Sequence, residues 1–439
     1  MMKITLGLLA SLFFIGSLTS SFGGQDVSPL TLEESIEIAL KRSPTLQAAK
    51  EAINGAQFRR RAAISDFLPL VSTKYSYTRL DEPSFFLNPI TNTNVEVGTK
   101  DNYAWTTTVT QPIFTGGALI NNYRLAELGV DTAEVELETT TLDLILQVKE
   151  AYYGVLKAER FEEVAERAVQ QLESQLKVSQ AFFDVGLIPK NDLLQVEVEM
   201  AQKRQDLTKA HNSLEIARAV FNTLLRRGID EEVKLVEILH YRPMNIDMST
   251  SIEQAYKKRP EIKAAEVAVE STQKGVKIAA SGLFPQVSVL FNYELQGDDP
   301  SVSGSRFDPD EESWSFMAMA EWKIWDWGKT WWGVGEKKAS VFQAERALEE
   351  IKDKVRLDIK TAYLNVGEAE KNIIVAEKAV SQAEENLRIN EERYKEQVAT
   401  STEVLDALTL LTRARTNYYA ALSDYNIAGA RLQRAVGER

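Results

Sequence analysis

The sequence predicts a mainly α-helical chain with a smaller β portion, built from one unit given twice. Three observations carry this. Val355, Ile359, Ala362, Val366, Ala369, Ile373, Ala376, Val380, Ala383 and Leu387 are all apolar, spaced alternately by four and three, with mostly charged or amide residues between. A seven-residue repeat of this kind keeps one seam of a long helix against a partner. About 211 residues earlier the same register gives Leu144, Val148, Ala151, Val155, Ala158, Glu162, Ala165, Val169, Leu172 and Leu176, broken only at Glu162. Between the helical stretches of each half, the period changes from helical to two, and each such stretch starts at a proline, Pro69 or Pro285.

Composition narrows the function classes. The chain has 439 residues, a formal net charge of −13, two histidines and no cysteine. A net acidic chain lacks the basic patch that nucleic acid requires. Without cysteine there is no disulfide, thiolate zinc site or catalytic thiol, and no lipid-modified N-terminal cysteine, so a lipoprotein is not expected. His211 is expected on solvated helix surface and His240 in linker packing, since neither has a metal-binding companion. No phosphate-binding glycine loop or catalytic constellation is present. No metal, cofactor or enzymatic activity is expected.

Residues 1–23 read as a signal peptide: Lys3, an apolar run from Leu6 to Leu18, then small residues at Thr19, Ser20, Ser21 and Gly23. The first repeat occupies 24–228. Thr31 and Glu34 form a capping-box pattern that opens helices over 31–65, interrupted at Pro44. Strands follow at 70–78 and 102–114 with a polar loop between them, then a long helix at 118–185 and a helix at 191–227. A linker, 229–249, is expected to cross the outside near mid-height. The second repeat, 250–439, gives helices over 250–281, strands at 286–294 and 313–325, a long helix at 329–397 and a helix at 401–436. Ser251-Ile252-Glu253 echoes Ser35-Ile36-Glu37, and Tyr363 echoes Tyr152. The seam from Val404 to Ala435 echoes that from Leu193 to Leu224, where Lys203 is the exception. The long helices reach on the order of 100 Å at 1.5 Å per residue, and the two shorter helical parts of each repeat together match one of them in length.

Strands of about ten residues suit a tilted membrane strand, and a soluble hairpin has the same period. Trp322, Trp325, Trp327, Trp331 and Trp332 bunch at the second strand-to-helix junction, as an aromatic girdle at a membrane interface does; packing of the junction gives the same clustering. Four strands cannot close a barrel, and lipid does not tolerate open edges, so several subunits would have to share one. Glu403 and Asp406 lie three apart beside the seam. Glu403 fits a helix cap begun by Thr400, and the spacing puts both acids on one helix face. The acidic run Asp298, Asp299, Asp308, Asp310, Glu311 and Glu312 reads as a solvated face, with a calcium site as the alternative.

This order of helices, strand pair, long helix, turn and helix, given twice behind a signal, resembles the outer-membrane efflux channel family, the TolC-like proteins. The matching stretches are the proline-led strand starts, Pro112-Ile113-Phe114-Thr115-Gly116-Gly117 at the strand-to-helix turn, and the helix tips Gly186 to Leu194 and Glu403 to Ala407. The resemblance implies a homotrimer in the outer membrane of a Gram-negative bacterium: a 12-strand barrel on a 12-helix periplasmic tunnel. It implies docking onto a periplasmic adaptor protein and an inner-membrane pump of the RND or ABC type, with passive conduction gated at the tip. It assigns the gate to Glu403, Asp406, Asp192 and Tyr394. The adaptor-docking tips would be Gly186, Leu187, Ile188, Pro189, Lys190, Val398, Thr400 and Ser401, and the tryptophans would meet outer-membrane lipid. Gln397-Val398-Ala399 departs from the family, whose members often carry glycine here and in some cases an arginine at the Ala399 position. The alternatives are a periplasmic adaptor, which needs a glycine-rich split β-domain and a single hairpin, and a structural periplasmic coiled coil, which leaves the aromatic strand pairs unexplained.

Overall fold

A computed structural model describes residues 29–244, 247–310 and 312–439; the expected signal, 1–23, lies outside them. In order, the elements are α1 (Leu32–Arg42), α2 (Pro44–Ser65), β1 (Leu70–Arg79), β2 (Phe85–Asn88), β3 (Thr93–Glu96), β4 (Asp101–Phe114), α3 (Ala118–Asp184), α4 (Lys190–Leu225), α5 (Met248–Lys258), α6 (Pro260–Ala280), β5 (Gln286–Gly297), β6 (Glu312–Glu321), α7 (Lys329–Lys395) and α8 (Ser401–Val436).

Local chemistry sets the helix ends. Thr31 and Glu34 cap α1 reciprocally. Ser43 caps α2 and Asp247 caps α5, while Pro44 and Pro260 open α2 and α6 at the first turn, where a missing N–H costs no helical hydrogen bond. The long helices are held by their seams. On α7, Val355, Ile359, Ala362, Val366, Ala369 and Ile373 are buried against Ala421, Leu422, Tyr425, Ala428 and Leu432 of α8. Lower down, Ala383 and Leu387 pack with Val404, Ala407 and Leu411, together with Val169 and Leu172 of α3 and Val196 and Met200 of α4. Val380 is only half-buried. The two seam-breakers find polar partners: Glu162 Oε1 lies 2.6 Å from His211 Nδ1, and buried Lys203 reaches Glu199 at 3.0 Å. His240 is exposed rather than packed in the linker, because Leu239 beside it fills the core position.

The helices form a wall. α4 lies beside α3, α3 beside α8 and α8 beside α7; in the other half of the wall, α2 lies against α3, and α6 sits between α3 and α7. The linker is clipped across this wall. Tyr152 of α3 is fully buried and its hydroxyl lies 3.0 Å from the Leu30 carbonyl and 2.8 Å from that of Val236; burial pushes its pKa well up. Its repeat counterpart Tyr363 is exposed, and among the described residues no hydrogen bond ties its hydroxyl to the linker. On the second side Tyr425 takes the clipping role, donating to the Arg242 carbonyl at 2.7 Å and accepting from Met244 N–H at 3.2 Å.

The main sheet is antiparallel in the order β1-β4-β5-β6, so pairing of β4 with β5 joins the two repeats. The register shifts between Pro112 and Phe114, where proline has no N–H to give the ladder. Two expectations need correction. The segment between β1 and β4, read as a polar loop, contains the β2–β3 hairpin, turned by Asn88 accepting from Ile90 N–H at 2.9 Å and by Asn92 at φ 51°. β6 ends at Glu321, short of the 325 expected, because its last pair is Gln286 and the preceding Pro285 cannot extend the partner strand. Trp322 and Trp325 therefore lie in the turn into α7.

Candidate functional site at the helical tip and the tryptophan collar

At the far end of the long helices the α3–α4 and α7–α8 turns lie at equivalent repeat positions. Gly186 adopts φ 77° and Gln397 adopts φ 61°. The turn needs a left-handed residue, which glycine accepts freely and glutamine does not. Replacing Gln397 with Gly is expected to raise stability by about 1 kcal/mol, measured as a higher midpoint in chemical unfolding; a lowered midpoint would show that the side chain contributes more than its backbone strain costs.

Around this turn the side chains are ordered. Thr400 Oγ1 accepts from Glu403 N–H at 3.3 Å, the capping role. Arg393 Nη1 lies 3.1 Å from Glu403 Oε2, and its Nη2 donates to the Val398 carbonyl at 3.2 Å. Tyr394 is buried, its hydroxyl 2.9 Å from that of Ser179 on α3 and its ring tilted over Phe182 at 5.4 Å. Asp192 accepts from the Asn191 amide at 2.9 Å. Asp406 is exposed. Within one chain, then, Tyr394 ties α7 to α3 and Glu403 meets Arg393, while Asp192 and Tyr394 do not meet. Leu187, Val398, Pro189, Lys190, Gly186 and Thr400 are exposed and Ile188 is half-buried. Ser401 differs from these: it is buried, and among the described residues its hydroxyl has no hydrogen-bond partner, because its position in the first turn of α8 faces the helix pair. Sequence reasoning missed Arg393 and Ser179. Arg393 was findable, as it lies ten residues before Glu403 across a tight turn.

At the other end, β4 and β6 lead into the long helices through Gly116-Gly117 and Gly328. Gly116 has φ 62°, and a Cβ there would stand 2.4 Å from the Ser281 carbonyl oxygen, so only glycine fits. Trp322, Trp325, Trp327, Trp331 and Trp332 are all more than half exposed. Trp322 Nε1 donates to the Leu283 carbonyl at 3.1 Å, and Trp325 packs edge-on to Trp327 at 5.8 Å. The outer strands β1 and β6 are exposed along their length, with Leu70, Val71, Trp314 and Phe316 among the most open. In the acidic loop Asp299 accepts from Ser301 and Asp308 from Gln296; Glu311 lies outside the described residues. Among the described residues no group of three or more His, Cys, Asp or Glu is placed to hold a metal ion, and no helix is long and apolar enough to cross a membrane.

Comparison with known proteins agrees with this geometry. Outer membrane protein TolC of Vibrio cholerae serotype O1 is 24% identical over 321 residues, covering 71% of this chain and 72% of that protein. Alkaline protease secretion protein AprF of Pseudomonas aeruginosa is 23% identical over 337 residues, covering 76% and 68%. The solved outer membrane protein VceC of Vibrio cholerae superposes with a TM-score of 0.79 at 19% identity, over 93% of this chain and 96% of that one. The model of the outer membrane efflux protein family matches residues 35–225 and again 251–438, one match in each repeat, and the chain belongs to that family.

Proposed function

We propose that three copies of this outer-membrane efflux channel close one barrel and one tunnel, forming a passive exit duct rather than an enzyme. The observation that carries this reading is the four-stranded sheet with β1 and β6 unpaired at its two edges. Lipid does not tolerate open edges. Two copies would supply eight strands, a barrel whose interior side chains fill; three supply twelve and leave a conduit. The helical wall, four columns wide in each half, multiplies in the same way. The tryptophan collar then lies at the periplasmic interface of the outer membrane.

The exposed tips around Leu187 and Val398 are the surface offered to a periplasmic adaptor, behind which an inner-membrane pump of the RND or ABC type supplies the energy. One relative is named for protease secretion, which suits type I secretion as well as tripartite efflux. The constriction is assigned to the tip, at Glu403, Asp406, Asp192 and Tyr394. Native mass spectrometry in detergent is expected to give three copies; a monomer or dimer counts against the reading. A cysteine placed at exposed Ser303, in the β5–β6 connection, is expected to react with an impermeant thiol reagent on intact cells, since long barrel connections face outside. A well-expressed variant that reacts only after the outer membrane is broken reverses the topology.

A further inference from the structure

We infer that, of the acids assigned to the constriction, Asp192 and Asp406 carry unbalanced charge while Glu403 is offset by Arg393, which makes Arg393 a selectivity-determining residue of the channel mouth. This rests on the tip being the constriction, as proposed above.

Arg393 is held by three acceptors: Glu403 Oε2 across the α7–α8 turn at 3.1 Å, the Val398 carbonyl in the turn at 3.2 Å and Asn390 Oδ1 on α7 itself at 3.3 Å. The other Glu403 oxygen lies 3.4 Å from Thr400 Oγ1. That carboxylate thus accepts from the hydroxyl of the capping Thr400 and from a guanidinium. Among the described residues no hydrogen bond or ion pair reaches the Asp406 carboxylate, three residues further on and exposed.

The duplication sharpens the contrast. Moving back by the repeat offset, Glu403 falls on Asp192, Arg393 on Phe182 and Asp406 on Gln195. The first copy has no arginine at the equivalent place: the Phe182 ring is tilted over that of Tyr394, and among the described residues the Asp192 side chain is met only by the neutral Asn191 amide. Gln195 accepts from Thr402 Oγ1 at 3.1 Å, joining α4 to α8. Of the three acids assigned to the constriction, Asp192 and Asp406 thus have no cationic partner among the described residues, and each repeat supplies one of them. Around a threefold axis each becomes a ring that attracts cations. Arg393 and Glu403 are about half exposed, so the pair is screened by water and salt, and Arg393 reduces the field of Glu403 without erasing it.

The test is block by Mg²⁺ added on the tip side of purified trimers in planar bilayers, at constant ionic strength. Asp406→Asn and Asp192→Asn are each expected to raise the half-blocking concentration about threefold, and Arg393→Gln to lower it by about as much, the size of a screened charge interaction repeated three times. The Arg393→Gln effect is expected to vanish in a Glu403→Gln background, and Arg393→Lys to keep most of the compensation. If Arg393→Gln has no effect, or an equal effect in both backgrounds, the inference is overturned while the constriction stands. If neither aspartate variant changes block, the constriction reading fails and takes the inference with it. Should Arg393→Gln not assemble, Glu403→Gln against Asp406→Asn decides: a smaller shift for Glu403→Gln supports the inference, and equal shifts overturn it.

Discussion

Val366→Asp combined with Ile373→Asp is expected to abolish assembly outright. Both residues lie on the α7 seam one heptad apart, 4% and 3% exposed. They share an apolar cluster with Ala421, Leu422 and Tyr425 of α8. Losing each aliphatic side chain removes about 1.5–3 kcal/mol of burial. Burying each unpaired carboxylate costs several kcal/mol more. The sum reaches the whole stability of an ordinary domain, about 5–15 kcal/mol. The α7–α8 pair would separate along that length, and a subunit with a split wall has no matching edge for its neighbours. Val366→Ala with Ile373→Val, which only trims volume, is expected to lose a few kcal/mol and still assemble. Native mass spectrometry and circular dichroism of the two double variants make the comparison. A normal trimer from the aspartate pair would show that this seam does not hold the subunit together.

The seam was legible because a helix turned toward one partner over many turns must repeat its apolar residues, and nothing else in the chain competes with that pattern. The duplication was legible for the same reason, reinforced by proline and tyrosine placed outside the seams. What the sequence hid depends on partners far apart in the chain. The end of β6 follows from where β5 begins, so Trp322 and Trp325 read as a continuing alternation although no strand remains to pair with them. The β2–β3 hairpin is short, and its apolar Phe85, Phe86 and Leu87 stay exposed, which leaves no burial pattern to detect. Tyr152 and Tyr363 match as letters but differ in role, since among the described residues only the first is hydrogen-bonded to the linker. At the tip, Glu403 and Asp406 look equivalent as two acids on one helix face. Only the fold of the turn brings Arg393 to one of them.

The joint between the repeats was equally hidden, because charged residues flanking a heptad seam read as solvated surface. In the structure, Arg431 reaches Glu150, Lys157 reaches Asp424 and Arg434 reaches Asp143, each joining α8 to α3. Most of these residues are exposed enough to contribute little. Arg434 is the least exposed of them at 13%, and it converges on Glu261 together with Arg259 at 9%.

Glu261→Gln is expected to cost about 3 kcal/mol near neutral pH and to remove most of the acid sensitivity of this joint. Glu261 lies in the first turn of α6, where the helix dipole favours a negative charge. Its Oε1 receives Arg259 Nη2 at 3.0 Å and Arg434 Nη2 at 2.8 Å, and its Oε2 receives Arg259 Nε at 3.1 Å. Arg259 continues to Asp358 at 3.0 Å and Arg434 to Asp143 at 2.7 Å, so one chain of charges spans α7, α6, α8 and α3. Burial alone would raise the pKa of Glu261; the two guanidiniums outweigh it and hold the carboxyl at about 2. The folded value thus lies below the unfolded one, about 4.3. Its stabilisation is therefore complete above that pH and is lost as pH falls from about 4 toward 2, a swing of about 3 kcal/mol for a shift of this size. The amide of the variant still fills the space but leaves two buried guanidiniums short of a counter-charge at every pH. Denaturant midpoints of wild type and variant are expected to differ widely at pH 7 and to approach one another by pH 3. A gap that stays constant between those pH values would mean that Glu261 acts through packing and not through its charge.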